Sequence, residues 1–276
     1  MNPDPSVKIF IPGTPLAQFV ELFWYCQDQH ILADSREKVL PNGCIEIIMN
    51  LGAEPIKVYA DDDDTQSKID GDVLISGLHT TPFVIGSSCR GAALGICFKP
   101  GGAYPILGFP ADHLMDKHIS LLDVWPIFAQ ELHNRLLETP NVHARFRLVE
   151  QSLIRCITSD HILHPAVAFA LEEFHRHGRS TSVLGLTDQI SLSAKRFIDL
   201  FRSQVGLTPK QYLRVQRFQQ VLYHIHHTET FAWPDLALAY RYHDQSHFIR
   251  DFRALAGITP TVYRDTHTAD LNHLPL

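Results

Sequence analysis

Long apolar runs are missing from this chain. No stretch approaches the ~18 apolar residues of a membrane span, and no charged-then-apolar leader opens the sequence. A cytoplasmic location with no membrane partner is the expectation on those grounds. Cysteine is sparse: Cys26, Cys44, Cys89, Cys97 and Cys156 are an odd, scattered set without a C-x-x-C pair. That excludes a disulfide framework and predicts reduced thiols. A phosphate-binding glycine loop is absent too, since the Gly101-Gly102 pair lies in a turn-rich stretch rather than between a strand and a helix. Histidine is scarce where a barrel metalloenzyme needs it, His79 being alone between residues 38 and 99. The 17 histidines include His224, His226 and His227 near the end of a predicted helix, but an exposed i, i+3 pair makes a poor metal site. No Ser/His/Asp or Cys/His constellation can be placed. The sequence therefore predicts no enzyme, no catalytic residue, no metal and no cofactor.

An overall basic charge is lacking as well, the net value being −6. The distribution matters more than the sum. Residues 162–267 carry 12 Lys+Arg against 9 Asp+Glu, a balance of +3, which leaves 12 basic against 21 acidic residues, or −9, elsewhere. Such asymmetry is expected when one domain faces phosphate. The length of 276 residues suits two domains.

What the chain does have is one pattern written twice. FIDLFRSQVGLTPKQY at 197–212 returns 51 positions later as FIRDFRALAGITPTVY, identical at eight of 16 positions. In each copy two phenylalanines four apart, Phe197/Phe201 and Phe248/Phe252, mark one face of a helix. Gly206 and Gly257 then suit left-handed C-caps, and the Thr-Pro pairs that follow suit the N-cap and first turn of a further helix. Ser193 and Asp244 are the N-caps expected for the two repeated helices. Short helical runs upstream, Val183 to Ile190 and Pro234 to Tyr240, complete two helix-turn-helix units. Pro209 to about His226 reads as a long helix joining them, and His164-Pro165 opens a helix carrying Val167, Ala168, Leu171 and Phe174.

The run LTDQISLSAKRFIDLFRSQVGLTPKQYLRVQRFQ, followed by LALAYRYHDQSHFIRDFRALAGITPTVYR, resembles the double helix-turn-helix domain of the AraC-type bacterial transcription regulators. The resemblance spans residues 162–266. A weaker one covers VLPNGCIEIIMNLG and GICFKPGGAYPILGFP, which are similar to an uncharacterised β-rich domain placed ahead of such modules. The resemblance of residues 162–266 implies a sequence-specific regulator of transcription that binds double-stranded DNA, with RNA polymerase as a partner, as for an activator. Outward residues at the start of each second helix would touch DNA. In the first unit these are Ala194, Lys195, Arg196 and Arg202, with Lys195 able to donate to guanine and Arg196 and Arg202 to phosphate. In the second they are Gln245, Ser246, His247 and Arg250, where Gln suits adenine and Arg suits guanine. Asp199 departs from the family's frequent arginine. The turns carry Ser191 and Arg241 where the family has glycine, so a left-handed backbone there would be strained. Two readers on one arm would enter major grooves about 34 Å apart.

The N-terminal part follows another grammar. Thr14-Pro15 with Leu16, Phe19, Val20, Phe23 and Trp24 at helical spacing predicts a helix packed on a sheet. Short β-branched runs predict strands at Cys44 to Leu51, Ile56 to Ala60, Val73 to Leu78, Phe83 to Ser87 and Ala93 to Phe98, with Asp61 to Asp64 a hairpin tip. Leu121 to Leu137 and Ala144 to Cys156 are helical. The fold class is α+β: a small β-barrel or sandwich with flanking helices at 1–118, a helical connector at 119–160, an all-α domain of two helix-turn-helix units at 161–267 and a tail at 268–276. The acidic N-terminal part is expected to form a homodimer or to bind a small-molecule effector near Trp24 and Glu46. The reading from another class is a ligand-binding or enzymatic β-barrel whose C-terminal helices mediate protein contacts.

Overall fold

The computed structural model describes residues 7–28, 36–59, 62, 64, 66–86, 91–157, 162–177, 186, 189–268 and 270–276. Its strands are β1 (Val7–Phe10), β2 (Val20–Asp28), β3 (Arg36–Val39), β4 (Glu46–Asn50), β5 (Ile56–Tyr59), β6 (Ile69–Gly71), β7 (Val73–Ser76), β8 (Phe83–Gly86), β9 (Gly91–Phe98), β10 (His118–Ser120) and β11 (His273–Pro275). They form two antiparallel sheets, ordered β1-β2-β9-β4-β7-β10 and β11-β3-β8-β5-β6. The five expected strands are present. β5 and β6 pair across the acidic run, as the hairpin-tip reading requires.

Side chains alternate between faces along a strand, so register decides what each face of the six-stranded sheet holds. Phe23, Ile96, Ile47 and Ile75 line up across β2, β9, β4 and β7, and all are fully buried. Helices α3 (Pro126–Glu138) and α4 (Val142–Ile154) cover that face with Leu132, Leu136, Phe146, Val149 and Leu153. The neighbouring row, Trp24, Gly95, Ile48 and Leu74, faces the second sheet, where Leu74 packs with Ile56 and Val58. Two shorter helices, α1 (Ala103–Leu107) and α2 (Leu121–Val124), complete the N-terminal half.

Three expectations need correction. The predicted helix after Thr14 is only a single 3-10 turn, Leu16–Gln18, running into the nine-residue strand β2. A register shift between Val20 and Leu22 breaks the apolar alternation there, and a strand so interrupted imitates helical spacing. The connector is no separate body: Phe146 stacks on Phe10 and Phe23 at 5.4 and 6.3 Å, and His133 Nε2 lies 2.6 Å from the carbonyl oxygen of Asn50. The tail is β11, an edge strand paired with β3 and carrying buried Leu274. Three residues with a proline give no readable period, and edge position is where a strand tolerates proline.

The C-terminal half is helical: α5 (Pro165–His177), α6 (Ala194–Val205), α7 (Pro209–His227), α8 (Trp233–Ala239), α9 (Gln245–Ala256) and α10 (Pro260–Thr266). The predicted helix at Val183 to Ile190 lies mostly outside the described residues, although Leu186 within it is buried. Among the described residues, no helix is long and apolar enough to cross a membrane.

Candidate nucleic-acid interface and effector site

The sequence repeat is a repeat in space. Phe197 and Phe201 meet at 5.8 Å and 62°, Phe248 and Phe252 at 5.8 Å and 68°. Phe201 meets Tyr212 at 5.8 Å and 66°, and Phe252 meets Tyr263 at 5.7 Å and 65°. These edge-to-face clusters bury the four phenylalanines completely and fix the opposite faces of α6 and α9 outward.

Caps set where each helix begins. Ser193 accepts from the Arg196 amide at 3.3 Å and Asp244 from the His247 amide at 2.7 Å. That amide, then His243, holds the Asp244 carboxyl below the usual carboxylate range. Gly206 and Gly257 end the helices with φ of +103° and +74°, each donating its amide to a carbonyl four residues back at 2.8 Å. Thr208 and Gln211 form a full capping box at the start of α7. In the second turn Arg241 holds φ +58°, the left-handed conformation that its side chain disfavours.

On α6, Ala194, Lys195 and Arg196 are exposed at the first turn, with Asp199 exposed one turn on. On α9, Gln245, Ser246 and Arg250 are exposed; His247 is half-buried, its ring edge against Tyr242 at 5.4 Å. Arg250 rims an open groove with Arg214, His243 and His247. Below it, Asp251 accepts from Arg214 at 2.6 Å and from the Tyr242 hydroxyl at 3.1 Å, which ties α9 to α7. Arg202 stands apart from this set. Its Nε donates to Asp112 of the N-terminal half at 3.0 Å, so in this arrangement it is paired with protein rather than presented to phosphate.

The N-terminal half comes close to the C-terminal ends of α6 and α9. A Cβ on Gly206 would lie 2.8 Å from Leu78 and 3.3 Å from the Ala111 oxygen; one on Gly257 would meet Pro82 and Lys38 at 3.4 and 3.5 Å. The turn at Gly43 abuts Val215 and Gln216 of α7, and Gln219 donates to the Pro41 oxygen at 2.6 Å.

Trp24 and Glu46 are brought together, although β9 separates their strands. The indole lies across Gly95, where any Cβ would sit 2.0 Å from Cε2, and Nε1 donates to Glu46 at 3.3 Å. Asn42 donates to the other carboxylate oxygen at 2.7 Å. Around this pair lie groups that sequence reasoning missed. Cys44 Sγ is 2.6 Å from Cys97 Sγ and 3.2 Å from Glu46 Oε1; the adjoining Cys97 and burial raise the Cys44 thiol well above its usual value. Farther along the same row, Ser76 Oγ lies 3.3 Å from His79 Nε2 and 3.2 Å from His118 Nε2. Burial lowers these imidazoles to about 4 and about 3. Only register could have revealed either cluster: Glu46 pairs with both Cys97 and Ser76, and Ser76 with His118.

Residues 186–266 match the model of a helix-turn-helix domain, and residues 8–120 match a domain of unknown function, DUF6597. No curated protein matches the sequence. Among solved structures, the C-terminal domain of AraT, a response regulator from Geobacillus stearothermophilus, is 19% identical over 39% of this chain and 90% of that one, with a TM-score of 0.36. ToxT from Vibrio cholerae O395 is 11% identical over 97% of this chain and 100% of that one, with a TM-score of 0.45. An unsaturated fatty acid-bound ToxT from strain SCE256 is 10% identical over 97% and 98%, also at 0.45. The helix-turn-helix match, rather than these distant likenesses, carries the DNA-binding reading of the C-terminal half.

Proposed function

We propose that this chain, whose helix-turn-helix domain follows a DUF6597 domain, is an AraC-type DNA-binding transcription regulator in which α6 and α9 read two successive major grooves under the control of the N-terminal half. The observation that carries this reading is the matched pair of phenylalanine-anchored helices whose exposed first turns hold Lys195 and Arg196 on one and Gln245, Ser246 and Arg250 on the other. Gln and Arg present the donor sets that adenine and guanine edges accept, while Arg196 is suited to phosphate. Ala194 is exposed on the same turn of α6, and His247 Nδ1 accepts from the His243 amide at 3.4 Å in the turn before α9. Selection of bound sites from a random duplex pool tests the reading. Enrichment of two half-sites one helical turn apart is expected, and no enrichment over input would overturn it.

Control is assigned to the N-terminal half because it abuts the C-terminal ends of both reading helices and grips α7 between them. A small effector near Trp24 and Glu46 would act on the strand that leads from Gly43. Ile127 of α3, 74% exposed, is an apolar contact point for a homodimer. Light scattering on the full chain checks this: a dimer that Ile127→Lys converts to monomer is expected, and a monomer at all concentrations refutes the homodimer.

A further inference from the structure

We propose that Cys44, Glu46 and Cys97 bind one thiophilic divalent cation of the zinc class, and that this cation is the effector of the N-terminal half. The second part rests on the regulator reading above; the first does not. Two sulfurs and a carboxylate oxygen lie mutually within 4.8 Å, from Cys44 just ahead of β4, Glu46 at its start and Cys97 of β9. Each of the three residues is only half-buried, so an ion can enter from solvent. Two thiolates and a carboxylate form a donor set for borderline-soft metals rather than for calcium or magnesium. Zinc in such a set is four-coordinate, which leaves one position for water.

The surroundings are those of a held ligand. Glu46 receives hydrogen bonds on both oxygens, from Trp24 Nε1 at 3.3 Å and Asn42 Nδ2 at 2.7 Å, and such outer partners orient metal-binding carboxylates. Asn42 Oδ1 also accepts from the Cys44 amide at 3.1 Å, so one side chain positions two of the three donors. Binding would exchange two thiol protons for the ion, and those protons leave to solvent.

Geometry also links this site to the DNA-reading half. Metal–sulfur bonds of about 2.3 Å in a tetrahedral site separate the sulfurs by roughly 3.7 Å, against 2.6 Å here. Parting them shifts Cys44, which follows Gly43, and Gly43 faces α7 so closely that a Cβ on it would lie 3.0 Å from Gln216 and 3.4 Å from Val215. The ion would thus push on the helix that spaces the two readers.

The test uses the full chain with its thiols reduced and Co²⁺ as the spectroscopic probe. A sulfur-to-cobalt charge-transfer band saturating at one Co²⁺ per chain, bleached by Zn²⁺, is expected. Glu46→Gln should keep the band but weaken binding at least tenfold, and Cys44→Ser or Cys97→Ser should each diminish it. No such band with both thiols free, or an unchanged band in the Cys44→Ser/Cys97→Ser double variant, would overturn the site. For the effector role, one equivalent of Zn²⁺ should change affinity for the selected DNA at least threefold in wild type and not in Cys97→Ser. A metal-loaded wild type with unchanged DNA affinity would overturn that role. Failure to bind any DNA, with or without metal, would instead count against the regulator reading and leave the cobalt titration intact.

Discussion

Asp199 and Arg250 occupy equivalent places in the two repeats, both exposed, one turn into their helices. Their charges make them opposite instruments. Arg250→Ala is expected to cost about 1–3 kcal/mol on the selected site and to relax preference at one base position. Asp199→Ala should leave the selected site nearly intact and tighten nonspecific binding, since it removes a negative charge close to phosphate. Fluorescence anisotropy on selected and scrambled duplexes decides; harm from Asp199→Ala alone would make α6 the principal reader. Arg241 offers a second residue-scale experiment. At φ +58° it pays the steric penalty of a left-handed L-residue, so Arg241→Gly should raise stability by roughly 0.5–1 kcal/mol after allowing for the freer unfolded chain. An unchanged or lower urea midpoint at constant slope would show that the turn is unstrained.

At the scale of elements, β10 and the segment leaving β7 together hold an acid-sensitive pair. His79 is buried; its ring stacks on His118 at 4.5 Å, and Phe83 packs on both rings. Their values, about 4 and about 3, lie below the ordinary 6.5 of an unfolded chain. The unfolded state therefore binds more protons between those limits. By linkage the contribution of this pair is full above pH 6.5 and is lost as pH falls toward 4 and then 3. The loss should be on the order of a few kcal/mol in all. His118→Asn should flatten the slope of urea stability against pH in that window, whereas an unaltered slope would place the acid sensitivity elsewhere. The same two strands also show why elements were unevenly legible. Val73 to Leu78 is apolar enough to announce β7, whereas His118–Ser120 is polar, three residues long and a strand only because β7 offers it an edge.

For the whole molecule, the Arg202–Asp112 pair spans the two halves with Arg202 51% and Asp112 18% exposed. A pair so open is worth about 0–1 kcal/mol, which is enough to bias a small interdomain equilibrium. Asp112→Asn is expected to free Arg202 and to raise nonspecific DNA affinity by about two- to fivefold at low salt. Equal affinity of variant and wild type in a salt-dependent titration would mean that the contact does not restrain the DNA-binding half.

The sequence by itself determined whatever depends on local chemistry and short spacing. Phe197/Phe201 and Phe248/Phe252 state which face is buried, Ser193 and Asp244 state where the helices start, and Gly206 and Gly257 state where they stop. Those residues act within one or two turns of themselves, so the DNA-reading half and its exposed residues were legible before any fold was known. Trp24 and Glu46 were expected around one effector site, but their direct contact was not legible, because it depends on Gly95 leaving room for the indole to cross β9. Tertiary structure alone decided the rest: the bulged β2 in place of a helix, the final strand joined to β3, the helices of 126–154 laid on a sheet, and Cys44 set beside Cys97 across 53 residues. Each of these depends on strand register, and register is set by pairing between distant segments, which no local pattern of residues can express.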